Sequence, residues 1–128
     1  MLWVKLHEFL GIFLFISGLA LTLWALPSLF REPSHRFFRA LRGLAYTAVF
    51  QVLLGIGLLL FLGLRPRDPL HLVYGTLLAT VWHFLGGLEK DGWFYQSLKN
   101  PPARTGPWVA GGMLFALGLL IRVYLTGG

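Results

Sequence analysis

Histidine and glycine recur at matching positions in two apolar stretches of the chain. His7 is followed four residues later by Gly11, and His71 is followed four residues later by Gly75. Residues four apart share one face of a helix, so each imidazole would have a patch without side chains beside it. Two imidazoles at one depth can ligate a haem iron from both sides, and glycine lets a porphyrin lie against a helix. The spacing is compatible with plain close packing of the helices, with a bis-histidine haem b site, or with another site such as one for a metal or a quinone, and the haem site is the hypothesis developed below.

Other residues in or near the apolar stretches extend this candidate site. Gln51 and Gly55 lie one helical turn apart, and the Gln51 amide is placed to hydrogen-bond a neighbouring helix or to point at a cofactor edge. Arg65 and Arg67 follow in a short connection just before His71. Guanidinium groups bind carboxylates well, and haem propionates are carboxylates. These four residues and the two histidine–glycine pairs make up the predicted cofactor-binding site.

Two more ionisable residues lie inside apolar stretches, where charge is costly. Glu8 follows His7 directly, so it points about 100° away from that histidine. We expect Glu8 to face headgroups or to pair with Lys5, and it is only a weak candidate for proton transfer. His83 lies roughly 18 Å beyond His71 along a helix axis. We predict that His83 is hydrogen-bonded inside the fold, with a second-ligand or proton-relay role as the alternative.

The segments that must position these residues are apolar enough to cross a membrane. Of the 128 residues, 56% are hydrophobic and 12% are charged, whereas a soluble domain has about a quarter of its residues charged. A membrane-spanning helix needs about 20 apolar residues. Four stretches qualify, at approximately residues 2–26, 40–64, 69–87 and 107–124. Because short connections favour antiparallel neighbours, we predict one all-α domain over residues 1–128, an integral membrane four-helix up-down bundle.

Charged residues predict the orientation in the lipid bilayer. The first and third loops together hold seven Lys and Arg residues, whereas the termini and the middle loop hold four. Basic residues concentrate on the cytoplasmic side, so we predict a multi-pass protein of the cell inner membrane or plasma membrane with both termini outside. The net charge of +6 is explained in this way, and we expect no binding to nucleic acid. The sequence has no cysteine, which excludes disulfides and thiolate metal sites.

Two short segments resemble the haem A synthase family. They are QVLLGIGLLLF, from Gln51, and HLVYGTLLA, from His71. The resemblance implies a four-helix bundle that binds haem through histidines on two helices at the outward side. Gln51 and Gly55 match the family's Gln-x-x-Leu-Gly helix, and His71 with Leu72 matches the motif of its second ligand. His7 stands where the family's first ligand would be.

The chain departs from the family at the first ligand. The family has a Glu-x-x-His-Arg motif, whereas here Val4 precedes His7 by three residues and Glu8 follows it. The carboxylate that the resemblance assigns to catalysis is thus absent from its place. We therefore expect haem binding without haem A synthesis, in electron transfer or haem handling beside a respiratory complex. Two alternatives stay open: a cofactor-free accessory subunit of a larger membrane complex or homo-oligomer, and a half-size haem A synthase.

Overall fold

The computed structural model describes residues 2–127, and within that range the chain is helical with no strand. A 3-10 turn at Leu26–Leu29 follows directly on the first helix. The five α-helices are α1, Leu2–Ala25; α2, His35–Leu62; α3, Leu70–Gly86; α4, Trp93–Ser97; and α5, Gly106–Gly127.

Three segments are long and apolar enough to cross a membrane: Leu2–Leu29, His35–Leu62 and Gly106–Gly127. The α3 helix is also apolar but has 17 residues, which at about 1.5 Å per residue gives roughly 25 Å. Large apolar side chains cover the outside of the helices, such as Phe61, which is 85% exposed. A contiguous apolar surface of this kind is costly in water. The chain is a membrane protein whose outer surface contacts lipid.

The α2 helix begins earlier than the hydropathy pattern predicted. The Ser34 hydroxyl accepts a hydrogen bond from the Phe37 amide at 3.2 Å and caps the helix, so the helix starts at His35 rather than near residue 40. The basic residues of this segment led to its assignment as a loop. Phe37 and Phe38 are nevertheless buried on the inner face of the first turn. The helix ends at Leu62, where Gly63 adopts a left-handed conformation with φ of 67°.

The connection between α3 and α5 is folded back on the end of α3. The Gly87 carbonyl accepts hydrogen bonds from the amides of Phe94 and Tyr95 at 3.1 and 2.9 Å, and these bonds hold the short α4 helix. A Cβ atom at Gly87 would lie 2.5 Å from Nε1 of Trp93. A larger residue at position 87 would therefore clash with the Trp93 ring, which packs directly against the Gly87 backbone. The third loop predicted from the sequence thus contains a helical turn that closes this end of the fold.

A carboxylate joins the first loop to the start of α5. Glu32 Oε2 accepts hydrogen bonds from the Thr105 amide at 3.3 Å and from the Thr105 hydroxyl at 2.8 Å, and Oε1 accepts one from the Gly106 amide at 3.2 Å. Burial acts to raise the pKa of Glu32, but these hydrogen bonds outweigh it, so the pKa lies below its usual value. A negative charge at a helix N-terminus is also favourable. Glu32 therefore fastens the start of α5 to the first loop.

Buried side chains are concentrated in the half of the molecule near the first and third loops. The α1 and α3 helices each contact both α2 and α5. Trp82 of α3 is 1% exposed, and a Cβ atom at Gly18 of α1 would lie 2.9 Å from its ring. In the opposite half, which holds residues 2–13, 51–62, 70–77 and 121–127, Leu58 and Thr126 are the two residues classed as buried. That end has fewer buried side chains.

Candidate functional site

His7 and His71 lie together in the half of the molecule that has few buried side chains. Their ring centroids are 6.3 Å apart and their ring planes are inclined by 78°. His7 is near the start of α1 and His71 is near the start of α3, and both imidazoles are half-buried. The two helices begin at the same end of the molecule and share the neighbours α2 and α5. The sequence predicts that the two histidines lie at the same depth in the membrane. In the structure they do, and their rings are also close to each other.

Hydrogen bonding fixes the tautomer of His71. Its Nδ1 is 3.0 Å from the Val123 carbonyl oxygen and 3.4 Å from the Thr126 hydroxyl. Because a carbonyl oxygen only accepts, Nδ1 carries the proton and donates it. The lone pair is then on Nε2, which is the arrangement usual for histidines that bind a metal through that nitrogen. Gly127 lies against the ring, since a Cβ atom there would be 2.7 Å from Cε1 of His71.

His7 is held sterically but has an unsatisfied nitrogen. A Cβ atom at Gly55 of α2 would lie 3.1 Å from Cε1 of His7, so the imidazole lies directly on the α2 backbone. Its Nδ1 is buried and has no hydrogen-bond partner within residues 2–127. A buried polar group left in that condition costs about 1–3 kcal/mol. His7 thus has a nitrogen with unused capacity for a hydrogen bond or a metal.

Gln51 hydrogen-bonds the neighbouring helix, which is one of its two predicted roles. Its side-chain amide donates to the main-chain carbonyl of His7 at 2.6 Å. The other amide atom, Oε1, is buried without a partner in the described part of the chain. Gln51 therefore ties α2 to α1 at the level of the histidine, beside Gly55.

Gly11 and Gly75 lie at helix contacts and not on open patches beside the imidazoles. A Cβ atom at Gly11 would be 3.5 Å from Nε2 of Gln51, and one at Gly75 would be 3.8 Å from Cγ2 of Val52. Both glycines face α2, because α1 and α3 each pack against that helix. The flat surfaces expected beside the histidines are therefore covered by α2 side chains.

The remaining predicted residues are on the surface. Arg65 and Arg67 lie in the connection between α2 and α3 at the histidine end, and both are exposed. Glu8 is exposed on α1, and Val4 is half-buried. Their roles toward a cofactor stay predictions. Among residues 2–127, no group of three or more His, Cys, Asp or Glu side chains is arranged to hold a metal ion.

The two other histidines differ from expectation. His83 was expected to be hydrogen-bonded, but no hydrogen bond to its imidazole occurs among the residues described. It lies between Tyr46 and Trp93, with ring centroids 5.4 and 5.8 Å away. His35 lies outside the four apolar stretches of the sequence, but it is the first residue of α2, where the Ser34 cap starts the helix. Its Nδ1 is 2.7 Å from Glu89.

Comparisons with protein-family models, with curated proteins and with solved structures find no match. The likeness to the haem A synthase family stays a prediction from the motifs around Gln51 and His71.

Proposed function

We propose that the chain is a four-helix up-down membrane bundle that binds one haem b between His7 and His71. The observation that carries the proposal is the pair of imidazoles 6.3 Å apart, one of which has its tautomer fixed by Val123. Nitrogen ligands lie about 2 Å from a transition metal, so one metal between two imidazoles needs ring centres roughly 6 Å apart. The spacing of the rings fits one shared metal.

The ligand set favours a haem over a bare metal ion. A bare ion such as zinc takes about four ligands. Among the described residues, no third His, Cys, Asp or Glu joins His7 and His71 to form a metal-binding group. A haem brings its own equatorial nitrogens and needs only axial ligands. The unsatisfied Nδ1 of His7 also fits a site that takes up a ligand.

Each residue then has a distinct task. His7 and His71 would hold the haem iron, and the Val123 carbonyl keeps Nε2 of His71 available and increases its basicity. The exposed Arg65 and Arg67 are at the end where propionates would be neutralised. When bound, haem supplies one-electron redox chemistry. We place the protein in electron transfer or haem handling beside a respiratory complex of the inner or plasma membrane.

The membrane arrangement belongs to the same proposal. The α3 helix serves as the fourth span, since it packs against both α2 and α5. The loops rich in Lys and Arg then lie in the cytoplasm, and the histidine pair lies toward the outside together with both termini. We propose binding without haem A synthesis, because Val4 has no titratable group at the position of the family's catalytic carboxylate.

Absorption spectroscopy tests the haem proposal. Protein purified from haem-supplied cells is expected to be coloured and to show a sharp low-spin α-band after reduction with dithionite. His7→Ala and His71→Ala are expected to convert or abolish this spectrum. The matched control is His35→Ala, a histidine at the other end of the molecule, which is expected to leave the spectrum unchanged. A colourless preparation, or a spectrum that survives both site substitutions, would contradict the proposal.

A cofactor-free accessory subunit is the second candidate function. The observation in its favour is the contacts of Gly11 and Gly75 with Gln51 and Val52, because small residues at helix interfaces need no cofactor to explain them. In that case the protein is colourless and its stability depends on a larger membrane complex or homo-oligomer. A half-size haem A synthase, the third reading, requires haem A in extracts of the active protein.

A further inference from the structure

Two buried polar atoms at the contact between α1 and α2 have no hydrogen-bond partner within residues 2–127. They are Nδ1 of His7 and Oε1 of Gln51. The Gln51 amide group is anchored at this contact, because its Nε2 donates to the main-chain carbonyl of His7 at 2.6 Å. The Gln51 side chain is also close enough to act on the His7 imidazole itself. The two unpartnered atoms therefore belong to side chains that already meet.

The orientation of the Gln51 amide follows from its one hydrogen bond. A main-chain carbonyl oxygen only accepts, so the amide atom that faces the His7 carbonyl is the nitrogen. The other amide atom is then the oxygen, which also only accepts. Nδ1 of His7 can satisfy this oxygen only if Nδ1 carries the ring proton. His71 already has its proton on Nδ1 for the same reason, because its neighbour there is the Val123 carbonyl.

The α2 helix both supports the His7 ring and supplies the acceptor. A Cβ atom at Gly55 would lie 3.1 Å from Cε1 of His7 and 3.8 Å from each ring nitrogen, and Gln51 is one helical turn from Gly55. A metal bond at Nδ1 would leave Oε1 of Gln51 buried without a partner, which is unfavourable. A metal bond at Nε2 leaves Nδ1 able to donate to that oxygen. The arrangement therefore favours Nε2 as the nitrogen that binds.

We propose that Gln51 is a positioning residue for His7, whose Nδ1 proton is donated to Oε1 of Gln51. This hydrogen bond fixes the tautomer in which Nε2 keeps the lone pair. Histidines that bind metals commonly donate their second ring N–H to an oxygen in this way. Gln51 then has for His7 the task that the Val123 carbonyl has for His71. The tautomer is a property of the chain alone, whereas its consequence for ligand binding rests on the proposed haem site.

Nitrogen-15 NMR of the haem-free full chain in detergent micelles, at mildly alkaline pH, tests the tautomer. Couplings between the ring nitrogens and the carbon-bound ring protons show which nitrogen is protonated, and His7→Ala assigns the signals. We expect a proton on Nδ1 of His7 in the native protein and in Gln51→Glu, which keeps an acceptor oxygen. Gln51→Leu has no acceptor and is expected to move the proton to Nε2. His71 is the internal control and is expected to stay protonated on Nδ1 throughout.

The consequence for ligand binding is measured separately on the haem-loaded protein. Loss of the hydrogen-bond partner of a ligating histidine weakens metal binding about 10–100-fold. We therefore expect haem affinity to fall about tenfold in Gln51→Leu and to stay within about threefold of the native value in Gln51→Glu. The reduction potential is expected to rise in Gln51→Leu, because a less basic imidazole stabilises the ferric state less. Gln96→Leu, which changes an exposed glutamine of α4, is the matched control and is expected to alter neither quantity.

The two measurements separate failure of this proposal from failure of the haem site. A native His7 with its proton on Nε2 would overturn the role of Gln51 even if Gln51→Leu misfolds, and so would an unchanged tautomer in a folded Gln51→Leu. A haem-loaded Gln51→Leu with native affinity and native potential would overturn it as well. Colourless protein in which His7 has its proton on Nδ1 would contradict the haem site and still support the hydrogen bond to Gln51.

Discussion

Gly55→Ala is expected to disturb the histidine pair, because the added methyl group would lie 3.1 Å from Cε1 of His7. Alanine in place of a helical glycine by itself stabilises a helix by about 0.8–1 kcal/mol. Overpacking a contact costs about 1–3 kcal/mol, and the helix term cancels when Gly55→Ala is compared with a second Gly→Ala variant of another helix. Gly75→Ala is the matched control, since its methyl group would be at an ordinary 3.8 Å from Val52. We expect Gly55→Ala to be less stable than Gly75→Ala by about 1–2 kcal/mol.

The comparison is made on both stability and haem content. Unfolding in mixed detergent micelles gives the difference in stability, and the absorbance ratio of haem to protein gives occupancy. Displacement of His7 by a few tenths of an ångström is expected to lower haem affinity about tenfold in Gly55→Ala, a loss of about 1.4 kcal/mol, and to leave it unchanged in Gly75→Ala. Equal stability and equal haem content in the two variants would refute the placement of His7 on the α2 backbone.

Three other predictions concern the rest of the molecule. The pKa of Glu32 in the folded protein lies below the pKa of 4.5 that the side chain has when unfolded. Glu32 therefore contributes its full stabilisation above about pH 4.5, and this contribution is lost as pH falls through the lower pKa of the folded state. Unfolding of Glu32→Gln should therefore depend less on pH than unfolding of the native protein as pH falls below about 4.5. A reporter fused to the C-terminus should be active outside the cytoplasm, and an active cytoplasmic reporter would reverse the orientation. Haems extracted from cells supplied with haem O should include no haem A made by this chain, and haem A that depends on Glu8 would show a relocated catalytic carboxylate.

The shared depth of the two histidines was predictable from the sequence because it depends only on helix order, whereas their separation of 6.3 Å was not. Two helices separated by a single intervening span begin on the same side, and His7 and His71 are each close to the start of one. The apolar segments were predictable for a similar reason, since a run of about 20 apolar residues is a one-dimensional signal.

The rotation of the helices and the partners of the polar groups were not predictable. Whether Gly11 faces a cofactor or α2 depends on how α1 is turned about its own axis, which a repeat of four residues does not define. The bonds from Thr105 to Glu32 join residues far apart in the chain, and no local pattern indicates them. The Val123 carbonyl that orients His71 is a main-chain atom, so residue types contain no sign of it.

The central claim is that one haem is ligated by His7 and His71, and electron paramagnetic resonance of the oxidised protein tests it most directly. Imidazole planes inclined by 78° lie near perpendicular, which makes the two iron d orbitals that interact with the rings nearly equal in energy. We predict a low-spin ferric signal with strongly anisotropic g values, which is lost on His7→Ala or His71→Ala. A high-spin ferric signal from the native protein, or no haem signal from protein made in haem-supplied cells, would contradict the claim.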